Sequence, residues 1–199
     1  MSSVIREEIV QAVSRLHDPS NRKPISEYLK NSFLSHQTIP YEKGVYAFWL
    51  DNRDKKAKNL HRSLQIKGRQ LNKETIKKNK KDEKFEMHQV LWDWNLDDDF
   101  ILLYVGKSSR VSNRIAEHLK LGTKKWKVNP LEIIKPKNIT SCQLRSGIQH
   151  LCQVEDARPF IINNVHLSIV EELSFEMRFY IEDSAIGQGM PWFNLDSER

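Results

Sequence analysis

The apolar positions along this chain form two kinds of pattern, one typical of surface helices and one typical of buried strands. Over residues 3–17 apolar side chains recur every three or four positions, which predicts an amphipathic helix. The apolar residues of this pattern are Val4, Ile5, Ile9, Val10, Val13 and Leu16. A second helix is predicted from Pro24 to about Ser35, after the break at residues 18–21. We expect both helices to pack against the rest of the fold.

Short unbroken apolar runs predict the strands. Residues 43–50 form one run and residues 100–105 form another, which ends at Gly106. Residues 158–163 are predicted to form a third strand, because they directly precede a long helical pattern over residues 167–186. The residues expected on the buried side of that last helix are Ile169, Leu173, Met177 and Tyr180. The whole pattern indicates an α/β fold.

Side chains with chemical potential cluster where the second strand gives way to a helix. Tyr104 lies in the strand and Lys107 in the turn that follows it, where several serines can cap a helix from Arg114 to Leu121. Arg114 and His118 are four residues apart and therefore share a helix face. Such a corner is cationic and suits an anion. By itself it also fits an ordinary strand-helix unit with a solvated basic helix.

Two further motifs extend this corner into a longer pattern. Gly44-Val45-Tyr46 lies in the first strand, and Tyr104-Val105-Gly106 in the second, ahead of the Arg-x-x-x-His spacing of the helix. In the last helix Glu182 is followed by Pro191 after nine residues and by Asn194 after twelve. In this order, over residues 44–194, the motifs resemble those of the GIY-YIG nuclease superfamily.

The resemblance implies a fold and a division of the chain. The expected core is a small, mainly antiparallel three-stranded sheet flanked by helices. An N-terminal helical segment, residues 1–40, would precede a nuclease domain over residues 41–199, with a basic insertion at residues 51–99. This insertion is the main departure from the family, in which a short hairpin turn joins the first two core strands.

The resemblance also implies a divalent-metal-dependent endonuclease. Its expected catalytic residues are Tyr46, Tyr104, Lys107, Arg114, His118, Glu182 and Asn194. Glu182 is expected to be the one protein ligand of a single Mg²⁺ or Mn²⁺ ion, because Mg²⁺ keeps several waters and binds through few carboxylates. Arg114 is expected to contact the scissile phosphate through its planar guanidinium.

The role of base is left open between two residues. Tyr46 is expected to act as general base or to orient the attacking water, but the ordinary pKa of tyrosine, about 10, requires help from Lys107 or His118. His118 is the alternative base. Tyr104 and Asn194 are expected to support the site by binding phosphate and holding the helix of Glu182 in place.

Other acidic residues compete for the role of metal ligand. Glu171, Glu172 and Glu176 are predicted to lie on the same helix as Glu182, but only Glu182 has the family-like spacing to the end of the motif. The acidic run at residues 97–99 is also a conceivable metal cluster. It directly precedes a strand, however, where acidic turn residues are common.

The charge distribution indicates a polyanionic partner. The chain has 32 Lys and Arg residues against 26 Asp and Glu, a net charge of +6. Residues 52–84 have thirteen basic residues against four acidic ones, which fits a solvated loop or a partly helical insertion that contacts DNA. We favour the insertion that contacts DNA. The lysines expected to contact phosphate are Lys77, Lys78, Lys80, Lys81, Lys124 and Lys125.

Composition also indicates where the protein works. No apolar run approaches about 18 residues, so no membrane span is predicted, and the N-terminus lacks the apolar region of a secretory signal. Cys142 and Cys152 lack metal-ligand spacing and are expected to be reduced thiols of a cytoplasmic protein.

These expectations combine into one function. We expect sequence-specific, restriction-type cleavage of double-stranded DNA by a homodimer, at least on DNA, because cutting both strands of a palindromic site needs two sites related by a twofold axis. Two alternatives stay open: a structure-specific repair or recombination nuclease, and a non-catalytic DNA-binding protein.

Overall fold

The fold is described from a computed structural model of the chain. The structure describes residues 3–32, 43–62, 96–119 and 157–194, together with positions 144, 147, 148 and 154. The helices are α1 (Ser3–His17), α2 (Ile25–Ser32), α3 (Val111–Leu119), α4 (Ala157–Asn164) and α5 (Phe175–Gly189). The strands are β1 (Lys23–Pro24), β2 (Gly44–Asp51), β3 (Phe100–Ser108) and β4 (Val165–Glu171). A 3₁₀ turn, Pro19–Asn21, follows α1, and residues 57–62 are helical.

The strands form one antiparallel sheet in the order β1-β4-β2-β3. The α/β class and the antiparallel pairing are confirmed, but the predicted number of three strands is wrong. The fourth strand is short: Lys23 and Pro24 pair with Leu167 and His166 at the edge of β4. Two residues give too little periodicity to be recognised as a strand before their partner strand is known.

The central strand β2 separates two apolar cores. Alternate side chains of a strand point to opposite sides, so Tyr46, Phe48 and Leu50 lie on one side of the sheet (the Tyr46 face) and Val45, Ala47 and Trp49 on the other (the Trp49 face). Residues covering the Tyr46 face include Val111 and Ile115 of α3 and Ala157 and Ile161 of α4. Residues covering the Trp49 face include Ile9, Val13 and Leu16 of α1 and Ile181 and Ala185 of α5. A strand covered on both sides explains the unbroken apolar run of β2.

The prediction for the third core strand is wrong. Residues 158–163 lie within helix α4, where Pro159 is in the first turn and needs no intrahelical N–H partner. The strand comes directly afterwards, as β4, whose residues alternate between the two faces. The last helix therefore begins at Phe175 and not near Leu167, and Ser174 caps it by accepting a hydrogen bond from the Met177 amide at 3.2 Å.

The buried side of this last helix also differs from the expectation. Its buried residues are Arg178, Ile181 and Ala185. Leu173 precedes the helix and is 68% exposed, and Tyr180 is 42% exposed. The residues chosen from the sequence shared a helical spacing, but that spacing was counted across the end of a strand and a loop.

Other boundaries agree more closely with the sequence. Helix α1 is confirmed over Ser3–His17, with Ile9, Val13 and Leu16 buried and Val4 and Val10 exposed. Strand β3 continues beyond Gly106 to Ser108, because its last residues pair with the start of β2. Helix α3 begins at Val111, before Arg114, and its predicted end at Leu121 lies outside the described residues.

The two ends of the insertion between β2 and β3 are joined by a buried asparagine. The side-chain amide of Asn52 donates to the carbonyls of Leu96 and Asp98 at 2.9 and 2.7 Å, and its oxygen accepts from the Ala57 amide at 2.7 Å. Lys58 and Lys55 form ion pairs with Asp97 and Asp99 at 2.7 and 3.3 Å. The acidic run at residues 97–99 thus binds lysines at the base of the insertion.

Two sequence predictions can be compared with the described residues only in part. The lysines expected to contact phosphate, Lys77, Lys78, Lys80, Lys81, Lys124 and Lys125, lie outside them. Among the residues described, no helix has the length and apolar character that crossing a membrane requires.

Candidate active site

The hydroxyl of Tyr46 is the centre of a polar cluster at one end of the sheet. Tyr46 lies on the central strand, is fully buried, and pairs with Gly106 of β3. Its ring lies across this glycine: a Cβ atom at position 106 would be 2.6 Å from the Tyr46 hydroxyl oxygen and 2.9 Å from the ring of Tyr104. Both contacts are too short for any side chain. Gly106 is therefore needed so that the two tyrosines can lie side by side.

His118 is the hydrogen-bond partner of Tyr46. The imidazole Nε2 of His118 is 3.2 Å from the Tyr46 hydroxyl oxygen. The histidine is fully buried and its ring is surrounded by aromatic rings, with centroids 5.2 Å from both Phe48 and Tyr104. These contacts fix the imidazole in place against Tyr46. The predicted pairing of the first strand with the Arg-x-x-x-His helix is thus present as a direct contact.

Arg114 approaches the same hydroxyl from the same helix. Its guanidinium donates a hydrogen bond to Tyr46, and both this bond and its positive charge lower the pKa of the phenol. Burial is the largest influence and raises that pKa well above 10, assisted by Tyr104 and by the negative charge of Glu182. Tyr46 is therefore protonated at neutral pH. A phenol in this state can donate its proton to His118 while its oxygen accepts another.

Lys107 and Glu182 form an ion pair on the other side of the strand. Lys107 follows Gly106, so its side chain lies on the Trp49 face, where its ammonium binds Glu182 Oε2 on α5. The side chains of Lys107 and Glu182 are 15% and 12% exposed. The ammonium also lies 4.8 Å from the centroid of the Phe179 ring, a cation–π contact. Lys107 thus contacts the expected metal ligand, whereas His118 contacts Tyr46.

Asn194 joins the end of the chain's described part to β3. Its side-chain oxygen accepts from the Val105 amide and its side-chain NH₂ donates to the Val105 carbonyl, both at 2.7 Å. Trp192 and Phe193 donate their amides to the carbonyls of Leu102 and Leu103. These bonds cover the outer edge of β3 and anchor the segment that follows α5. The expected role of Asn194 in holding the helix of Glu182 in place agrees with these contacts, although its amide is occupied by the backbone.

The competing glutamates are separated from the cluster. Glu171 ends β4 and Glu172 lies in the following loop, so the expectation that they share a helix with Glu182 is wrong. Glu176 does share the helix, but it lies in the first turn, where its carboxylate accepts from Ser174 Oγ at 3.0 Å. Glu182 is the carboxylate whose charge acts on Tyr46. Within the described ranges, no three His, Cys, Asp or Glu side chains form a metal-binding group.

The sequence reasoning missed one residue that shapes this site and one arrangement outside it. Gly106 was interpreted only as the end of a strand, although a glycine within a strand is a known signal of close approach. The stacking of Arg22 on Trp49, on the opposite face of the sheet, had no signal, because the two residues come from elements far apart in the chain.

Comparison with known proteins adds no relative to this description. No family model matches the chain, and no curated protein or solved structure shows significant similarity to it.

Proposed function

We propose that this protein is a divalent-metal-dependent DNA endonuclease. The observation that carries the proposal is the convergence of three elements on one phenolic oxygen. Tyr46 of β2 has His118 at 3.2 Å and the guanidinium of Arg114 as hydrogen-bond partners, while the charge of Glu182 on α5 acts on the same group. A core that served only to pack would have little use for a tyrosine, a histidine and an arginine arranged around one hydroxyl.

Glu182 fits the role of metal ligand. It is a carboxylate with little solvent exposure that already binds a cation, the ammonium of Lys107. Mg²⁺ prefers hard oxygen ligands and commonly binds proteins through one or two carboxylates, with water and substrate phosphate completing its shell. A Mg²⁺ ion held by Glu182 would stabilise the charge that develops on the phosphate and on the leaving oxygen.

Tyr46 and His118 supply a route for one proton. As a water molecule attacks the phosphorus atom, the Tyr46 oxygen accepts its proton and the phenolic proton passes to His118 Nε2. The imidazole becomes imidazolium, and the phenol is neutral before and after the step. The raised pKa of Tyr46 favours this relay over a standing phenolate, since burial opposes the charged form.

Arg114 has the charge and geometry for the transition state. Its guanidinium is near enough to Tyr46 to donate a hydrogen bond, so a phosphate placed beside the attacking water would also lie within its reach. A planar guanidinium can bind two phosphate oxygens at once. As negative charge builds on these oxygens and the bond to the leaving oxygen breaks, this interaction strengthens and accelerates the reaction.

The finer proposal is restriction-type cleavage of double-stranded DNA by a homodimer. One such site has one arginine and one Tyr46–His118 pair, so it cuts one strand in each binding event. Two sites related by a twofold axis would cut both strands of a palindromic sequence. The net charge of +6 and the basic residues of the insertion support a DNA partner.

Cleavage of plasmid DNA in the presence of Mg²⁺ tests the proposal. We expect discrete linear fragments from the wild type and at least a 100-fold loss of rate in Glu182→Gln, Arg114→Ala and Tyr46→Phe, roughly the contribution of one catalytic group. Matched controls remove the same groups nearby: Asp183→Asn, Arg110→Ala and Tyr180→Phe should cleave at wild-type rates. Equal loss in the controls, or no cleavage by the wild type of plasmid, flapped or branched DNA, would refute the nuclease.

A second readout separates the restriction role from repair. Sedimentation of the Glu182→Gln variant with a cleavable duplex should show two chains for each duplex. One chain for each duplex, together with nicked plasmid or cutting confined to flapped substrates, would contradict the restriction role and favour a repair nuclease.

A further inference from the structure

A cavity of about 490 Å³ lies on the Trp49 face, at the far end of β3 from the Tyr46 hydroxyl. The end of α1, the start of β3 and the end of α5 enclose it. Its volume is in the range of roughly 300–1,000 Å³ that is typical of small-molecule sites. Phe100, in its wall, precedes Lys107 by seven residues, which is roughly 20 Å along a strand. The cavity is therefore separate from the candidate active site.

One wall of the cavity is an arginine stacked on a tryptophan. The Cζ atom of Arg22 is 3.8 Å from the ring centroid of Trp49 and 5.1 Å from that of Phe100. The tryptophan is itself held in place, since its indole N–H donates to Ser168 Oγ at 2.9 Å. The plane of the guanidinium is thus fixed before any ligand arrives. Guanidinium planes held in this way are surfaces on which nucleobases stack.

Arg22 retains much of its capacity to donate hydrogen bonds. One guanidinium nitrogen donates to the carbonyl of His17, and the buried Nε has no hydrogen-bond partner among the residues that the structure describes. Burial and the charge of Arg22 lower the pKa of His17, which is neutral at pH 7. Of the described residues that line the cavity, Arg22 is then the one permanent cation. It faces a ligand as a planar group of donors.

Carboxylates line the same cavity. Asp98 and Asp99 both line it, and the negative charge of Asp98 acts on Arg22. Two carboxylates repel a phosphate or a carboxylic acid, so a simple anion is a poor ligand despite the arginine. A neutral, planar ligand with acceptors on one edge and donors on another satisfies both groups.

We propose that this cavity binds a guanine ring. Guanine presents two adjacent acceptors, O6 and N7, which match an arginine fork, and its N1–H and N2–H₂ groups are donors for a carboxylate. Adenine has one acceptor beside a donor on the corresponding edge, so it would place a donor against the guanidinium. The ring could belong to a free nucleoside or to a base turned out of a DNA duplex. The site does not depend on the nuclease proposal.

Titration of the whole protein with guanosine, followed by calorimetry and by the NMR signal of the Trp49 indole N–H, tests this proposal. We expect saturable binding below about 1 mM, a shift of that signal, and weaker binding of adenosine and of inosine, which lacks the N2 amino group. Arg22→Gln should weaken binding about 10-fold to 100-fold, and the matched control Arg15→Gln should not change it. Asp98→Asn, at an exposed side chain, should also weaken it, whereas Asp54→Asn should not.

Several results would overturn the proposal. These are the absence of saturation, equal binding of adenosine and guanosine, an unmoved Trp49 signal, or equal effects of Asp98→Asn and Asp54→Asn. The last comparison holds even if Arg22→Gln fails to fold. Competition by a guanine-containing duplex would identify an extruded DNA base as the source of the ring, and guanosine binding unaffected by the duplex would identify a free nucleoside.

Discussion

Replacing Lys107 by methionine tests whether Glu182 is a metal ligand without any measurement of catalysis. In the structure the ammonium of Lys107 binds the Glu182 carboxylate, and both side chains have little contact with solvent. Methionine has a similar length and no charge. The variant Lys107→Met therefore leaves the Glu182 carboxylate nearly buried without a cation.

The size of the effect follows from this burial. Removing one partner of a fully buried ion pair costs about 3–5 kcal/mol. Because the two side chains are still 15% and 12% exposed, we expect a loss of about 2–3 kcal/mol in the free energy of unfolding in the presence of a chelator. A divalent ion at Glu182 takes the place of the ammonium and should restore most of this loss. The affinity for the ion should rise correspondingly, by about 30-fold to 140-fold.

Urea denaturation of the wild type and the variant, in chelator and across a Mg²⁺ titration, measures both quantities. Lys55→Met is the matched control, because the Lys55 side chain is 50% exposed and its ion pair with Asp99 is 3.3 Å long. Its effect should stay below about 1 kcal/mol and should not respond to Mg²⁺. If Lys107→Met loses stability that Mg²⁺ does not restore, the pair is structural and Glu182 is not the metal ligand.

Three further predictions concern the phenol, the C-terminal clamp and the insertion. Because burial raises the pKa of Tyr46, the unfolded chain loses this proton first, so the free energy of unfolding should fall above pH about 10, by up to about 1.4 kcal/mol per pH unit. Urea denaturation should show this fall in the wild type and not in Tyr46→Phe; equal profiles would contradict it. Asn194→Ala should lose about 2–3 kcal/mol in the same assay, since it leaves the buried Val105 amide and carbonyl without their 2.7 Å partners, and a loss below about 0.5 kcal/mol would contradict the clamp. Neutralising Lys77, Lys78, Lys80 and Lys81 together should flatten the salt dependence of DNA binding by up to about 0.9 in log-log slope for each phosphate that the lysines no longer neutralise, and an unchanged slope would leave the run a solvated loop.

The elements with strong local signals were predictable from the sequence. The period of α1 identified Ser3–His17 because an amphipathic helix repeats its apolar residues whatever it packs against. The apolar runs of β2 and β3 identified the central strands because both faces of these strands are covered. The order of Tyr46, Arg114, His118 and Glu182 along the chain indicated a site, and the structure brings these residues to one end of the sheet.

Local signals failed where a residue's state depends on a distant partner. The two residues of β1 are a strand only because β4 lies beside them, and β4 itself was assigned to a helix because its spacing could be continued into α5. Short apolar segments fit either structure, and pairing with a neighbour decides between them.

The contacts of the site were decided by the tertiary structure. Lys107 and Gly106 are adjacent in the chain, yet the alternation of β3 directs Lys107 to Glu182 and leaves Gly106 beneath the ring of Tyr46. The choice of His118 as the partner of Tyr46 depends on where α3 packs against the sheet, at a separation of 72 residues. Sequence alone determined which chemical groups the protein has and the order in which they occur. Register and packing determined which of them meet, because hydrogen bonds and ion pairs form only over distances of a few ångströms.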